Sequence, residues 1–331
     1  MSELEYLKKF NRLDCPIKLN SNEASFEDIA LHAHLRQRLG ESTVQKNLRY
    51  ARYMENHLIS VDFRNPSYEN FIRHIDYREQ IENAGFNALK GEWQAMKMFL
   101  RAYAIPEWDY KLPYAPKSHK RMLPFPDVVN KFFHYKYSND EYENALFQYL
   151  FFHSFMIGWR VPSEIIEMTV DDVVIDSNGR GSITITETKK HRQKRTILPE
   201  TCVLSSRVHK SFKNWIDKWR SKVENKYSGN SLYLQPSGKP FHIDHFRIKL
   251  SKHGKKIWQP FQPYDMRHWC AIARLIQTKR ETGNFDVFTV QNWLGHTDMK
   301  TTQNYIHHAE MYYNQAPVDW IATAMKPQKN L

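Results

Sequence analysis

The stretch Val290-Gln291-Asn292-Trp293-Leu294-Gly295-His296-Thr297-Asp298-Met299-Lys300-Thr301-Thr302-Gln303-Asn304-Tyr305-Ile306-His307 decides how the chain is read. An apolar helical run ends at Gly295, a residue that closes a helix without the penalty a side chain would bring. His296 falls in the turn that follows. Thr297 or Asp298 can cap a new helix that presents Tyr305 two turns on. His296 and Tyr305 are nine positions apart, held by one turn between two short helices. A tyrosine taken by itself is a core or surface residue, and Tyr312 and Tyr313 share the segment with Tyr305.

Upstream, Asn144–Trp159 is the longest run without a formal charge, 16 residues that include Gln148, His153 and Ser154. That is short of the ~20 apolar residues a spanning helix needs, so it reads as a buried helix over 143–159. Other helical patterns lie at 128–135, 207–225, 243–253, 265–278, 287–294 and 298–313. The first ~110 residues are also helical in pattern, with a helix opening near Ser42 and another carrying Phe86, Leu89, Trp93, Met96, Phe99 and Leu100, stopped by Pro106. Between the halves, Pro113, Pro116, Pro124 and Pro126 occur with Lys117, Lys120 and Arg121, which reads as a basic linker. The expected organisation is a helical domain at 1–112, a linker at 113–126 and a second domain at 127–331.

The positive charge is focused. The chain carries 48 Lys and Arg against 36 Asp and Glu, a net +12, with a pI near 9.4. Between Arg180 and Lys222 there are 12 Lys/Arg against Glu187, Glu200 and Asp217. A merely soluble basic protein would spread these charges, whereas focusing them favours a polyanionic partner. The densest run, KKHRQKR, separates two alternating segments, Gly181–Glu187 and Thr196–Leu198, which read as a β-hairpin with a basic tip. A membrane-surface helix would need a continuous apolar face there instead. Arg192, Lys194 and Arg195 read as phosphate contacts or as a solvated tip. The N-terminus lacks an apolar signal core, and Cys15, Cys202 and Cys270 form neither a disulfide framework nor a metal pattern, so a cytoplasmic protein is expected.

LGHTDMKTTQNYIHHAE resembles the terminal motif of the tyrosine recombinase family, the phage-type integrases and Xer-type recombinases. There a Leu-Gly-His turn precedes Thr-Thr-x-x-Tyr. Phe155-Met156-Ile157-Gly158-Trp159-Arg160-Val161-Pro162-Ser163-Glu164 resembles the family's first arginine box, although Arg160 and Glu164 are four apart where the usual spacing is three. Pro263-Tyr264-Asp265-Met266-Arg267-His268-Trp269 resembles the second box, usually His-x-x-Arg, with Tyr264 in the histidine's place. Members from archaeal mobile elements vary at that position. The resemblance covers about 120–315, with the boxes in order.

The resemblance implies a mainly α fold with a small antiparallel β-sheet: a core-binding helical domain and a tyrosine recombinase catalytic domain forming a two-domain C-shaped clamp on double-stranded DNA. It implies a site-specific recombinase or integrase acting as a homo-tetramer through a Holliday junction, with a monomer or dimer open in solution. Alternatives are a type IB topoisomerase-like relaxase and a DNA-binding relative without catalysis. Arg160 and Arg267 would hold the phosphorane's charge, with Glu164 supporting Arg160. Tyr305 would form a 3′-phosphotyrosyl bond. Lys189 or Lys190, both in the hairpin, would protonate the leaving 5′-oxygen, and His296 would bond the phosphate. Tyr264 would donate a hydrogen bond to it. No metal or nucleotide cofactor is expected. Trp269 and Trp293 read as core, and His268, His307 and His308 as surface or supporting residues, with His268 able to orient a neighbour. The tail Val318–Met325 reads either as packing on its own domain or as docking on a neighbouring protomer.

Overall fold

A computed structural model of the chain describes residues 15–112, 124–175, 181–187, 193–197, 205–259, 261–315, 319–324 and 326. The chain divides into two compact units, Met1–Arg121 and Met122–Leu331. The expected linker lies outside the described residues from 113 to 123. Its last residue, Pro126, is already the first residue of a helix.

The first unit holds α1 (Phe26–Leu35), α2 (Glu41–Glu55), α3 (Tyr68–Gln80) and α4 (Phe86–Ala102). Ser25 opens α1 with a capping box, its Oγ accepting from the Asp28 N–H while the Asp28 carboxylate accepts from the Ser25 N–H, which satisfies two otherwise orphaned donors. The cap of α2 falls two residues before the sequence expectation, at Gly40 rather than Ser42. Gly91 of α4 meets the Tyr50 ring of α2 so closely that a Cβ would lie 2.3 Å from it. This close approach lets Val44, Leu48, Met96 and Phe99 join one core.

The second unit contains α5 (Pro126–His134), α6 (Glu141–Ile157), α7 (Ser163–Ile166), β1 (Val173–Ile175), β2 (Gly181–Glu187), β3 (Gln193–Ile197), α8 (Ser205–Asn214), α9 (Ile243–Gly254), α10 (Asp265–Thr282), α11 (Val287–Leu294), α12 (Met299–Gln303), α13 (Ile306–Gln315) and α14 (Trp320–Ala324). The charge-free run is α6, capped by Asp140 and buried on nearly every face, as expected of a core helix. Beside it runs α10, with Met266, Trp269, Cys270, Leu275 and Ile276 in the same core. The strands form a three-stranded antiparallel sheet in the order β1-β2-β3, with Ile183 opposite both Val173 and Ile197. Of the hairpin's expected basic tip, 189–192 lies outside the described residues, while Lys194 and Arg195 fall within β3, opposite Thr186 and Ile185, and β1 is a strand that the alternation had not signalled. No helix among the described residues is long and apolar enough to cross a membrane.

One difference bears on the site. The expected helix at 298–313 is two helices, α12 and α13, with Asn304 and Tyr305 in a turn where the Tyr305 N–H donates to Thr302 O at 3.0 Å, a tighter i→i+3 closure than the helix makes. The tail packs on its own unit: Asn130 Nδ2 of α5 donates to the carbonyls of Ala324 and Lys326 at 2.6 and 2.7 Å, and Trp320, Ile321 and Ala324 are buried.

Candidate active site

Three helix ends converge here. α6 ends at Gly158 with φ +67°, where a Cβ would stand 2.5 Å from Leu294 Cδ2 and 2.8 Å from Cys270 Sγ. α11 ends at Gly295 with φ +68°. Both glycines take the left-handed closure that other side chains resist, and the bare Cα of Gly158 lets the end of α11 approach. Asp298, one of the two residues open as a cap, accepts from the Lys300 N–H and starts α12.

Arg267, near the start of α10, joins these ends. It is 0% exposed, with Nη1 donating to Gly158 O at 2.5 Å and Nη2 to Leu294 O at 2.7 Å. Each carbonyl sits at a helix C-terminus, the negative end of that helix, so a cation is well placed between them. The sequence signalled this arginine but not its acceptors. Burial, and then the neighbouring Arg160, pull Arg267 below the ordinary guanidinium value, with Tyr264, Glu164 and Tyr305 opposing. Its Nε is buried and has no hydrogen-bond partner among the described residues.

Arg160 follows the α6 turn by two residues. Its backbone N–H donates to Glu164 Oε2 at 2.7 Å, and its guanidinium donates to Glu164 Oε1. Glu164, fully buried in the four-residue α7, also lies 4.0 Å from Arg267 Nη1. One carboxylate therefore serves both arginines, despite the longer spacing.

The aromatic side of the site is drawn from the C-terminal segment. His296 Nδ1 and Thr302 Oγ1 are in hydrogen-bond contact at 2.7 Å. The His296 ring lies nearly parallel to that of Tyr305, 11° apart with centroids at 6.3 Å. Backbone and side chain of Gln291 pin the His296 turn, accepting from its N–H and donating to its carbonyl, both at 3.0 Å. Tyr305 Oη reaches His268 Nδ1 at 2.7 Å, and the Tyr264 ring stands edge-on to His268 at 5.0 Å. Burial pushes the Tyr305 phenol up to about 12; Tyr264 and Cys270 add to this and Arg267 opposes it.

The structure thus gathers Arg160, Tyr264, Arg267, His296 and Tyr305 in one unit, together with Glu164. Lys189 and Lys190 lie outside the described residues. His268 is the residue whose place the sequence left unmarked beyond an ability to orient a neighbour. Its one signal is its position four residues after Tyr264, on the same face of a helix. Trp293 lies beneath the Arg274 guanidinium at 3.5 Å, and Arg274 donates to Met156 O at 2.7 Å, so both expected core tryptophans, Trp269 and Trp293, are buried.

A helical unit with a small sheet, two arginines over a shared carboxylate and a tyrosine on a C-terminal turn defines an integrase-type domain. The chain belongs to the phage integrase family, whose model matches residues 125–311. Similar solved structures carry the same fold across both units. The XerH site-specific recombinase bound to a palindromic difH substrate, in a post-cleavage complex, aligns with TM-score 0.59 at 14% identity, covering 96% of each chain. A lambda integrase tetramer bound to a Holliday junction aligns with TM-score 0.60 at 13% identity, over 94% of this chain and 82% of that one. The Tn1549 transposon integrase, in complex with a circular intermediate DNA, aligns with TM-score 0.56 at 16% identity, over 86% and 97%. No curated protein matches the chain by sequence.

Proposed function

We propose that the chain is a site-specific DNA recombinase that cuts and rejoins double-stranded DNA through a 3′-phosphotyrosyl link at Tyr305. The observation that carries this reading is the gathering of Tyr305 with His296 and Arg267, and of Arg267 with Arg160, inside a unit of the phage integrase family. Attack on a phosphodiester places extra negative charge on the non-bridging oxygens, and fixed guanidinium donors stabilise that charge without reorganising. Arg160 supplies one such group, steadied by Glu164. Arg267 supplies the other from beneath the site, its positive charge held in place by the Gly158 and Leu294 carbonyls. His296, held by Thr302, donates to the same phosphate, as does the Tyr264 phenol. The 5′-oxygen leaves with a proton from Lys189 or Lys190. The phosphotyrosyl bond conserves the energy of the broken diester, so rejoining needs no nucleotide.

The assembly we propose is a homo-tetramer on DNA, as in the lambda integrase complex on a Holliday junction. Phosphate contacts supply much of the affinity, so binding weakens steeply with salt. The test uses nicked duplexes from a randomised pool, in which the short 5′-hydroxyl strand diffuses away after cleavage and traps the intermediate. Wild type is expected to yield a protein–DNA adduct that survives denaturant and identifies the target site, and Tyr305→Phe to yield none. An adduct of equal yield from Tyr305→Phe would sink the assignment.

A further inference from the structure

We propose that His268 is the catalytic base that takes the Tyr305 proton, the imidazole of this site standing one helical turn along α10 from Tyr264. The inference rests on the recombinase reading above and adds to it the fate of one proton.

Geometry comes first. A base must lie within hydrogen-bond reach of the proton it removes, and 2.7 Å between His268 Nδ1 and Tyr305 Oη meets that requirement before any substrate arrives. The two residues are 37 positions apart, brought together by the start of α10 and the turn between α12 and α13. That turn breaks the expected helix at Tyr305 itself, and the ring leaves it toward His268. The other histidine near the phenol meets Thr302 through Nδ1 and lies parallel to the Tyr305 ring. Tyr264 and His268 share a face of α10 at i and i+4, with their rings in edge contact. A phenol at position 264 is a poor base at neutral pH; an imidazole is a good one, and the site has an imidazole one turn later.

Chemistry agrees with the placement. A phenol held near 12 is ionised to only about one part in ten thousand at pH 8. Cleavage through a preformed phenolate would be slow by that factor, whereas an acceptor already in contact can take the proton as the bond to phosphorus forms. In the forward step the Tyr305 O–H bond breaks and its proton passes to Nδ1, giving imidazolium. The Oη–P bond forms, the P–O5′ bond breaks, and the 5′-oxygen takes a proton from Lys189 or Lys190. In rejoining, the 5′-hydroxyl attacks and returns its proton to that lysine, while the imidazolium returns its own to the departing phenolate. Protons balance over the cycle. The working tautomer carries hydrogen on Nε2, leaving Nδ1 to accept.

The test is single-turnover adduct formation by the full chain on the nicked duplex, from pH 5 to pH 9, in wild type and His268→Gln. Glutamine can accept a hydrogen bond from the phenol but cannot carry its proton away, which separates positioning from proton transfer. Ionisable groups near His268 include Tyr264, Asp265 and Arg267 at the start of α10, Tyr305 from the turn before α13, and His296 beside that phenol. His296 is a second imidazole beside the phenol, so His296→Gln is run in parallel. Wild type is expected to lose rate at low pH as His268 protonates. His268→Gln is expected to be about 100-fold slower, with that acid limb gone and duplex affinity retained, and His296→Gln to keep the limb. A second measurement needs no variant. With sulfur replacing the bridging 5′-oxygen, the leaving group requires no proton from lysine, and the wild-type acid limb should persist because the nucleophile still must lose one. His268→Gln cleaving at the wild-type rate with the limb intact, or loss of the limb with the sulfur substrate, overturns the proposal while leaving recombination untouched. Absence of any Tyr305-dependent adduct in wild type would instead remove the recombinase reading, and this inference with it.

Discussion

Replacing Arg267 by alanine is expected to cost folding stability as well as catalysis, and the size of that cost follows from its partners. Two donors leave together: Nη1, which bonds Gly158 O at 2.5 Å, and Nη2, which bonds Leu294 O at 2.7 Å. Hydrogen bonds made by a charged group contribute about 1.5–3 kcal/mol each, and breaking a buried charged network by removing one partner costs about 3–5 kcal/mol. Both carbonyls lose this charged donor, and Glu164 loses one of the two guanidiniums beside it. The expected loss is therefore about 3–5 kcal/mol, a large share of the roughly 5–15 kcal/mol by which domains are stable. Arg267→Lys should lose about half as much, because one ammonium cannot span two carbonyls at the ends of different helices. The assay is urea unfolding followed by circular dichroism, with the transition of the catalytic unit fitted separately from that of the N-terminal unit. Adduct formation is then measured where each variant is still folded. A stability for Arg267→Ala within about 1 kcal/mol of wild type would refute the idea that this residue ties the ends of α6 and α11 together. The catalytic role would survive such a result; the structural one would not.

Gly158→Ala should destabilise the catalytic unit by about 2–4 kcal/mol in the same assay, since the new Cβ would stand 2.5 Å from Leu294 Cδ2 on a residue with φ +67°. His153 is fully buried between Tyr233 Oη and Ser211 Oγ, and burial holds it well below the ordinary histidine value. The unfolded chain therefore binds a proton that the folded one refuses, so stability falls by up to about 1.4 kcal/mol per pH unit below about pH 6.5; His153→Phe should remove one proton's worth of that slope in paired urea titrations. Tyr305 behaves in the opposite range. Its contribution is intact below pH 10 and lost as the pH passes about 12, so the ultraviolet difference titration of wild type against Tyr305→Phe should show one phenol ionising near the upper value, and ionisation at pH 10 would contradict its burial.

Which features could be read from the sequence depends on how far apart their causes lie along the chain. The turn at Gly295 was legible because a left-handed closure leaves its mark on one residue, whereas the turn at Gly158 cuts short a helix expected to run to Trp159. α6 was legible because burial on every face requires an uncharged run, and Asn144–Trp159 is one. α3 left little trace, since only Phe71, His74 and Ile75 are buried along its length and most of its surface is polar. β1 spans three residues, too few for an alternation to show, and exists because β2 offers it an edge. The active site divides in the same way. Arg160, Arg267, His296 and Tyr305 could be picked out by local spacing, but the acceptors of Arg267 lie 109 and 27 residues away and the partner of the Tyr305 hydroxyl lies 37 away. Chain order gives no sign of such pairs. A histidine directly after Arg267 looks like a spare until the fold brings Tyr305 to it, and the same folding that buries the phenol, and so raises the cost of ionising it, also puts the imidazole against its oxygen.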